Sequence, residues 1–237
     1  MRRRFLGLFG SKAPLAIIAT YNELDIFPQI LSRLLQDGIH VHVVDSWSSD
    51  GTYETIRQIA SDWRGAVSIE RFPDSGPVRY FDLRAILRRK EEIAARCPGR
   101  WIIHQDSDEL HCSPWPAVSF HEGLRRVSAE GFFAIDFACV IFRPVDDSFR
   151  AGMDPETHFR FFERDVPQFS HVRAWCQPTT RVNLAKSGGH DTRFPGRTVY
   201  PEKFILKHYQ IRNPEQGQRK VFAERLGRFH PDEIAAG

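Results

Sequence analysis

The chain has 237 residues, of which 41% are hydrophobic and 27% charged, the balance of an ordinary soluble globular protein. Lys+Arg 33 against Asp+Glu 30 leaves a net charge of +3, too little to mark a nucleic-acid partner. No apolar run approaches the ~20 residues that a membrane-spanning helix needs. At this length the expectation is a tail over residues 1–13 and one domain over residues 14–237, with a nucleotide-type half (14–112) and a mixed half (113–237). The basic head "MRRRFLGLFGSK" has too short an apolar piece for a secretory signal core of ~7–15 residues. It reads as a frayed terminus, or as a weak peripheral contact with the anionic inner face of a membrane. Cys97, Cys112, Cys139 and Cys176 are scattered, with no C-x-x-C, which suits reduced thiols in a cytoplasm and argues against structural zinc.

In chain order, "LAIIAT" (Leu15–Thr20) is the short apolar run of a buried parallel strand. Asn22 reads as the cap of a helix whose Ile26, Ile30, Leu31, Leu34 and Leu35 share one face, with Gly38 as the stop. "VHVVD" is a second strand ending in Asp45, and "SWSSDGT" leads into a helix carrying Tyr53, Ile56, Ile59, Ala60 and Trp63. "VSIERF" is a third strand, followed by a helix over residues 81–97. "WIIHQ" is the fourth, and an acidic turn with Asp106, Asp108 and Glu109 opens at its end. Past Pro116 come a helix over residues 117–129, the long strand-like run "FFAIDFACVIFRP", the alternating "THFRFFER", a loop "KSGGHD" and a basic helix "PEQGQRKVFAERLGRF".

Strands alternating with helices imply an α/β class: a Rossmann-like, mostly parallel sheet flanked by helices, with a mixed C-terminal half. In such sheets ligands bind beyond the carboxyl ends of the strands, so loops 20–23, 45–52 and 106–111 should converge on one crevice.

A D-x-D pair on such a turn can present hard oxygens to Mg²⁺ or Mn²⁺, which would bridge the phosphates of a nucleotide; a solvated strand-end loop is the plainer use of the same residues. Asp45 stands where an acid can accept from a ribose or base edge, or merely cap the next helix. Absent are G-x-G-x-x-G, the P-loop signature and a G-x-S-x-G elbow. In "SGGHD", His190 offers a metal ligand and Asp191 a general base, against the alternative of a polar hairpin. Lys207, His208, Arg212, Arg219 and Lys220 supply enough cation to clamp a diphosphate, unless they form only a solvated basic face.

Together "IIATYNELD", "VVDSWSSDGT" and "HQDSDE" resemble, in order and spacing, the motifs of family-2 glycosyltransferases with the GT-A fold. "SGGHDTRFPGRTVYPEKFILKHYQIR" is similar to a bacterial subgroup of them, so the resemblance covers most of the chain, more loosely after Cys112. It implies transfer of a sugar from a nucleotide-diphosphate sugar to a hydroxyl acceptor such as a bacterial surface glycan, with Mn²⁺ or Mg²⁺ and with inversion, or with retention if the acid lies on the leaving-group side. Thr20, Tyr21 and Glu23 would lie beneath base and ribose, Asp45 would read the base, and Arg79 would face the nucleotide or diphosphate. Asp106 would approach the ribose and Asp108 would ligate the metal, with His190 or His208 completing its shell. The base would be Asp191, with Glu163 behind it. Ser46 and Trp47 depart from the Asp-Gly pair usual in the second motif, which puts its base contacts in question. A Rossmann methyltransferase would share the second-strand acid but needs a glycine-rich first turn, and a non-catalytic carbohydrate- or nucleotide-binding relative would have no use for an intact D-x-D.

Overall fold

The computed structural model describes residues 12–164, 170–225 and 228. Residues 1–11, with most of the expected basic tail, and the last part of the expected basic helix lie outside the described residues. The first half alternates as expected: β1 (Leu15–Thr20), α1 (Phe27–Gln36), β2 (His40–Asp45), α2 (Thr52–Asp62), β3 (Val67–Arg71), α3 (Leu83–Ala95) and β4 (Trp101–Asp106). Then follow β5 (Glu109–Cys112), α4 (Phe120–Ala129), β6 (Ala134–Arg143), the single turn α5 (Pro155–His158), β7 (Phe161–Arg164) and β8 (Val172–Cys176). A 3₁₀ turn (Ala185–Ser187), β9 (Phe204–His208) and α6 (Pro214–Gln218) lead into a π-helical segment, Arg219–Arg225.

The strands form one sheet in the order β3-β2-β1-β4-β8-β6-β9-β5, with β7 paired to β6. β3, β2, β1 and β4 are mutually parallel. Beyond β4 the pairing turns antiparallel, except for the parallel pair β6–β9. The fold is thus α/β, parallel in its first half and mixed in its second.

β1 is apolar on both sides because both sides are covered. Ala16 and Ile18 join the core built with Ile30, Leu34 and Leu124, while Leu15 and Ile17 pack with Ile93 and Ala94 of α3 on the opposite face. Each fully buried Ile contributes about 1.5–3 kcal/mol.

Three expectations shift. α1 begins at Phe27, with Pro28 in its first turn and no side-chain cap, so Asn22 is not its cap. Asn22 instead takes a left-handed backbone (φ 54) that turns the chain out of β1, a conformation asparagine tolerates. Second, "ELHC" continues past the acidic turn as β5, antiparallel to β9. Third, "THFRFFER" divides: residues 155–158 make a helical turn, Phe159 is buried, and β7 leaves Phe161 and Phe162 exposed. Among the described residues no helix is long and apolar enough to cross a membrane.

Candidate functional site

A crevice of about 360 Å³ opens at the carboxyl ends of the parallel strands, beside the boundary where the strand order reverses between β1 and β4. Thr20, Tyr21 and Glu23 enter it from behind β1, Ser46 from β2, and Asp106, Ser107 and Asp108 from β4. The opposite wall is Phe81 and Leu83, with His208 from β9 and Lys220, Glu224 and Arg228 from the C-terminal segment.

The β1 and β2 loops are knit together. Ser46 N donates to Thr20 O (2.9 Å), Asn22 N to Ser48 Oγ (3.0 Å), Ser49 N to Asn22 Oδ1 (2.8 Å) and Glu23 N to Thr52 Oγ1 (3.1 Å). Trp47 has φ 62, so the position keeps a glycine-like left-handed backbone with a tryptophan on it. Its indole donates to Pro73 O (2.8 Å), and its ring and that of Tyr53 both contact the Arg71 guanidinium. Asp45 lies fully buried under this loop. Its Oδ2 accepts from Ser48 N (3.0 Å), and its Oδ1 has no partner. Burial raises its carboxyl above the ordinary value, against the pull of Ser48 and Arg71.

The acidic turn is sharply divided by burial. Asp106 is 43% exposed at the crevice, with its oxygens 3.8 Å from Lys90 Nζ and 3.7 Å from Arg173 Nη1. Asp108 and Glu109 are buried. Glu109 accepts from Arg173 and, on Oε2, from Asp106 N (3.0 Å), which closes the turn. Lys220 Nζ donates to Asp108 Oδ2 and to Glu23 Oε1, both at 2.7 Å, and His208 Nε2 lies 3.3 Å from Asp108 Oδ1. Burial alone would raise the Asp108 carboxyl, but Lys220 and His208 override it and hold it well below the usual carboxylate range. Burial would likewise lower the His208 imidazole, yet Asp108 pushes it up to about 11. Behind this wall Arg212 is fully buried, forked onto Asp25 (2.7 and 2.8 Å) and bonded to Glu23.

The structure therefore brings Thr20, Tyr21, Glu23, Asp106, Asp108, His208 and Lys220 to one crevice, with Asp45 and Arg212 supporting it from beneath and behind. Other candidates stand apart from that lining. Arg79 is exposed and stacks on Tyr80. Glu163 is 65% exposed on β7 and pairs with Arg143 (3.0 Å). His190 is exposed and packs edge-on against His171, with ring centroids 5.5 Å apart. Asp191 is held by Arg193 (2.7 Å) and Arg197; burial would raise its carboxyl, and these arginines bring it below the ordinary value. The glycine pair before it does make a close approach, but to protein: a Cβ on Gly189 would sit 2.7 Å from His104 Nε2.

Two buried bases behind Asp106 escaped the sequence reading. Lys90 donates to Gln105 O (2.8 Å), and Arg173 joins Asp106 to Glu109. Lys90 left a trace, since it lies on the apolar face of α3 with Ile86, Leu87, Ile93 and Ala94. Among the described residues no group of three or more His, Cys, Asp or Glu side chains is placed to hold a metal ion. Asp108 with His208 does give a carboxylate–imidazole pair beside the crevice, and Asp106 a half-exposed second carboxylate.

No family model matches the chain. No curated protein matches it either. Among solved structures, a Bacillus anthracis protein described as a glucose-1-phosphate thymidylyltransferase, in complex with a sucrose, aligns with 91% of this chain and 78% of its own. The identity is 10% and the TM-score 0.35, a likeness too loose to carry an argument.

Proposed function

We propose that the crevice binds a nucleotide-diphosphate sugar and transfers its sugar to an acceptor hydroxyl, on a fold of the GT-A type. One observation carries this reading: the loops behind β1, β2 and β4 meet at one crevice, where Asp108 faces Lys220 and His208 and Asp106 stands half-exposed on the wall. Asp45, with one oxygen unpartnered under the β2 loop, is the acceptor for a base N–H once that loop yields. Asp106 is turned to the ribose, and Tyr21 with Arg228 over its ring (3.8 Å) lines the nucleotide's path.

The donor set suits Mn²⁺ or Mg²⁺, because such ions are commonly held by one or two carboxylates and completed by substrate phosphates. Asp108 and Asp106 would hold the ion, His208 joining them only on giving up the proton that Asp108 holds on it, and when bound the ion would neutralise charge on the departing diphosphate. Lys220 and Arg228 add fixed positive charge on the same side of the crevice. Asp191 is held by two arginines and Glu163 lies on the exposed β7, both apart from the crevice lining, so the acceptor's proton is assigned to neither.

Thermal-shift screening of nucleotide-diphosphate sugars with Mn²⁺ and with chelator tests the reading. A donor at 100 times its Kd should stabilise the protein by about 2.7 kcal/mol. Asp108→Asn should lose that shift, and a panel in which no nucleotide sugar raises the melting temperature would sink the reading. In a donor-turnover assay Asp191→Asn should stay close to wild type; a turnover lost by about a hundredfold, the scale of a missing general base, would return the proton-accepting role to Asp191.

A further inference from the structure

We propose that the Lys220 ammonium is a tethered counter-ion that keeps a divalent cation off Asp108 until a diphosphate draws it away. The proposal rests on the crevice being a nucleotide-diphosphate-sugar site. Lys220 is buried and bridges two acids from distant loops, Glu23 and Asp108, at 2.7 Å each. The other oxygen of Asp108 faces His208 Nε2 at 3.3 Å. One oxygen of the preferred metal ligand is thus already taken by an ammonium that the chain itself supplies, and the other lies against the His208 ring.

A bare divalent cation entering here meets two obstacles. It must break the charge-assisted hydrogen bond from Lys220 to Asp108, and it must then sit beside the ammonium that it displaced. A diphosphate removes both, because it gives Lys220 new acceptors in the crevice and brings the negative charge that the added cation needs. Cation and diphosphate therefore favour each other's binding through the position of one lysine, and that coupling is reciprocal.

The segment that carries Lys220 is built for such a role. It is π-helical over Arg219–Arg225, a winding frequent at functional sites. It is fastened at points other than Lys220: Asn22 Nδ2 of the β1 loop donates to Glu224 Oε1 (2.8 Å), and beyond the segment Phe81 N, ahead of α3, donates to Arg228 O (2.6 Å). The lysine side chain can leave Asp108 while these fastenings hold the segment in place.

The test is Mn²⁺ binding without any nucleotide, followed by electron paramagnetic resonance, with near-ultraviolet circular dichroism to check each fold. Lys220→Met keeps the stem and removes the charge, and should bind Mn²⁺ about tenfold more tightly than wild type. Lys220→Arg keeps the charge and should bind it as weakly as wild type. Adding Asp108→Asn to Lys220→Met should abolish the gain. Equilibrium dialysis of the wild type should retain Mn²⁺ when inorganic pyrophosphate is present and release it otherwise. Wild-type protein that binds Mn²⁺ as tightly as Lys220→Met, or a Lys220→Met variant that gains nothing, overturns the proposal. Because nucleotide sugars are absent from these titrations, failure of the donor screen is read separately.

Discussion

Arg212→Ala should lower the unfolding free energy by about 3–5 kcal/mol, the cost of removing one partner from a buried ionic cluster. Arg212 is fully buried, and its guanidinium forks onto Asp25, bonds Glu23, donates to Tyr209 O (3.1 Å) and comes within 4.0 Å of Asp108. Without it these carboxylates stay in a low-dielectric wall with less counter-charge, and each must be desolvated uncompensated or take up a proton. Arg212→Lys should show an intermediate loss, since a point charge cannot satisfy Asp25 in two places at once. Urea unfolding at neutral pH measures both variants. A loss under about 1 kcal/mol, the range of an exposed pair, would mean that the cluster relaxes into water and that Arg212 is no keystone. The sequence reading offered Arg212 as a diphosphate clamp, whereas its place behind the wall makes it a support for Glu23 and Asp25.

The protein should be most stable near pH 6.5 and lose stability on either side. On the acid side, burial pushes His111 down to about 3 and His104 well below the ordinary value of 6.5. Each is neutral in the fold, so between its folded value and 6.5 the unfolded chain holds the extra proton and stability falls as pH drops. Two such groups give a slope of about 2.7 kcal/mol per pH unit. On the alkaline side His208, pushed up to about 11 by Asp108 against its burial, holds a proton that the unfolded chain has lost. Its contribution is complete below pH 6.5 and declines as pH rises, at about 1.4 kcal/mol per pH unit. Lys90 offsets that trend from about pH 8: burial pushes it down to about 8 from 10.5, so the unfolded chain binds the extra proton there. Above pH 9 the Cys112 and Cys176 thiols, pushed by burial up to about 11, hold protons that the unfolded chain has lost, so the alkaline loss resumes there. Urea unfolding at pH 5.5, 6.5 and 7.5 should give the highest value at the middle point, and a flat profile would show that these histidines titrate as if in water.

The parts of the fold that were legible are those with a local period or a local run. "LAIIAT" became β1 over the expected residues because a strand covered on both faces has no reason to alternate. The acidic turn was placed correctly at the end of β4, and Trp101–Asp106 pairs with β1 as a parallel neighbour should. What the sequence could not convey is who neutralises whom. Glu109 meets Arg173 across 64 positions, and Lys220 meets Asp108 across 112, and an ion pair over such a span has no pattern to read. "ELHC" was missed as β5 for a related reason, since its partner β9 lies far down the chain. At Gly189 the backbone approaches the ring of His104, a neighbour far up the chain that no local pattern announces.

The distance between the acids of the β1 loop and the bases that face them matters before the molecule is finished. Arg212 and Lys220 follow Glu23 by 189 and 197 residues. A ribosome adding ~5–20 residues per second leaves the acids of that loop without these partners for roughly 10–40 s. During that interval the emerging sheet can pair β1, β2, β3 and β4, yet its carboxylates face one another with their neutralising arginine and lysine still unmade. A product truncated before Arg212 would carry Glu23, Asp25 and Asp108 without the arginine and lysine that neutralise them.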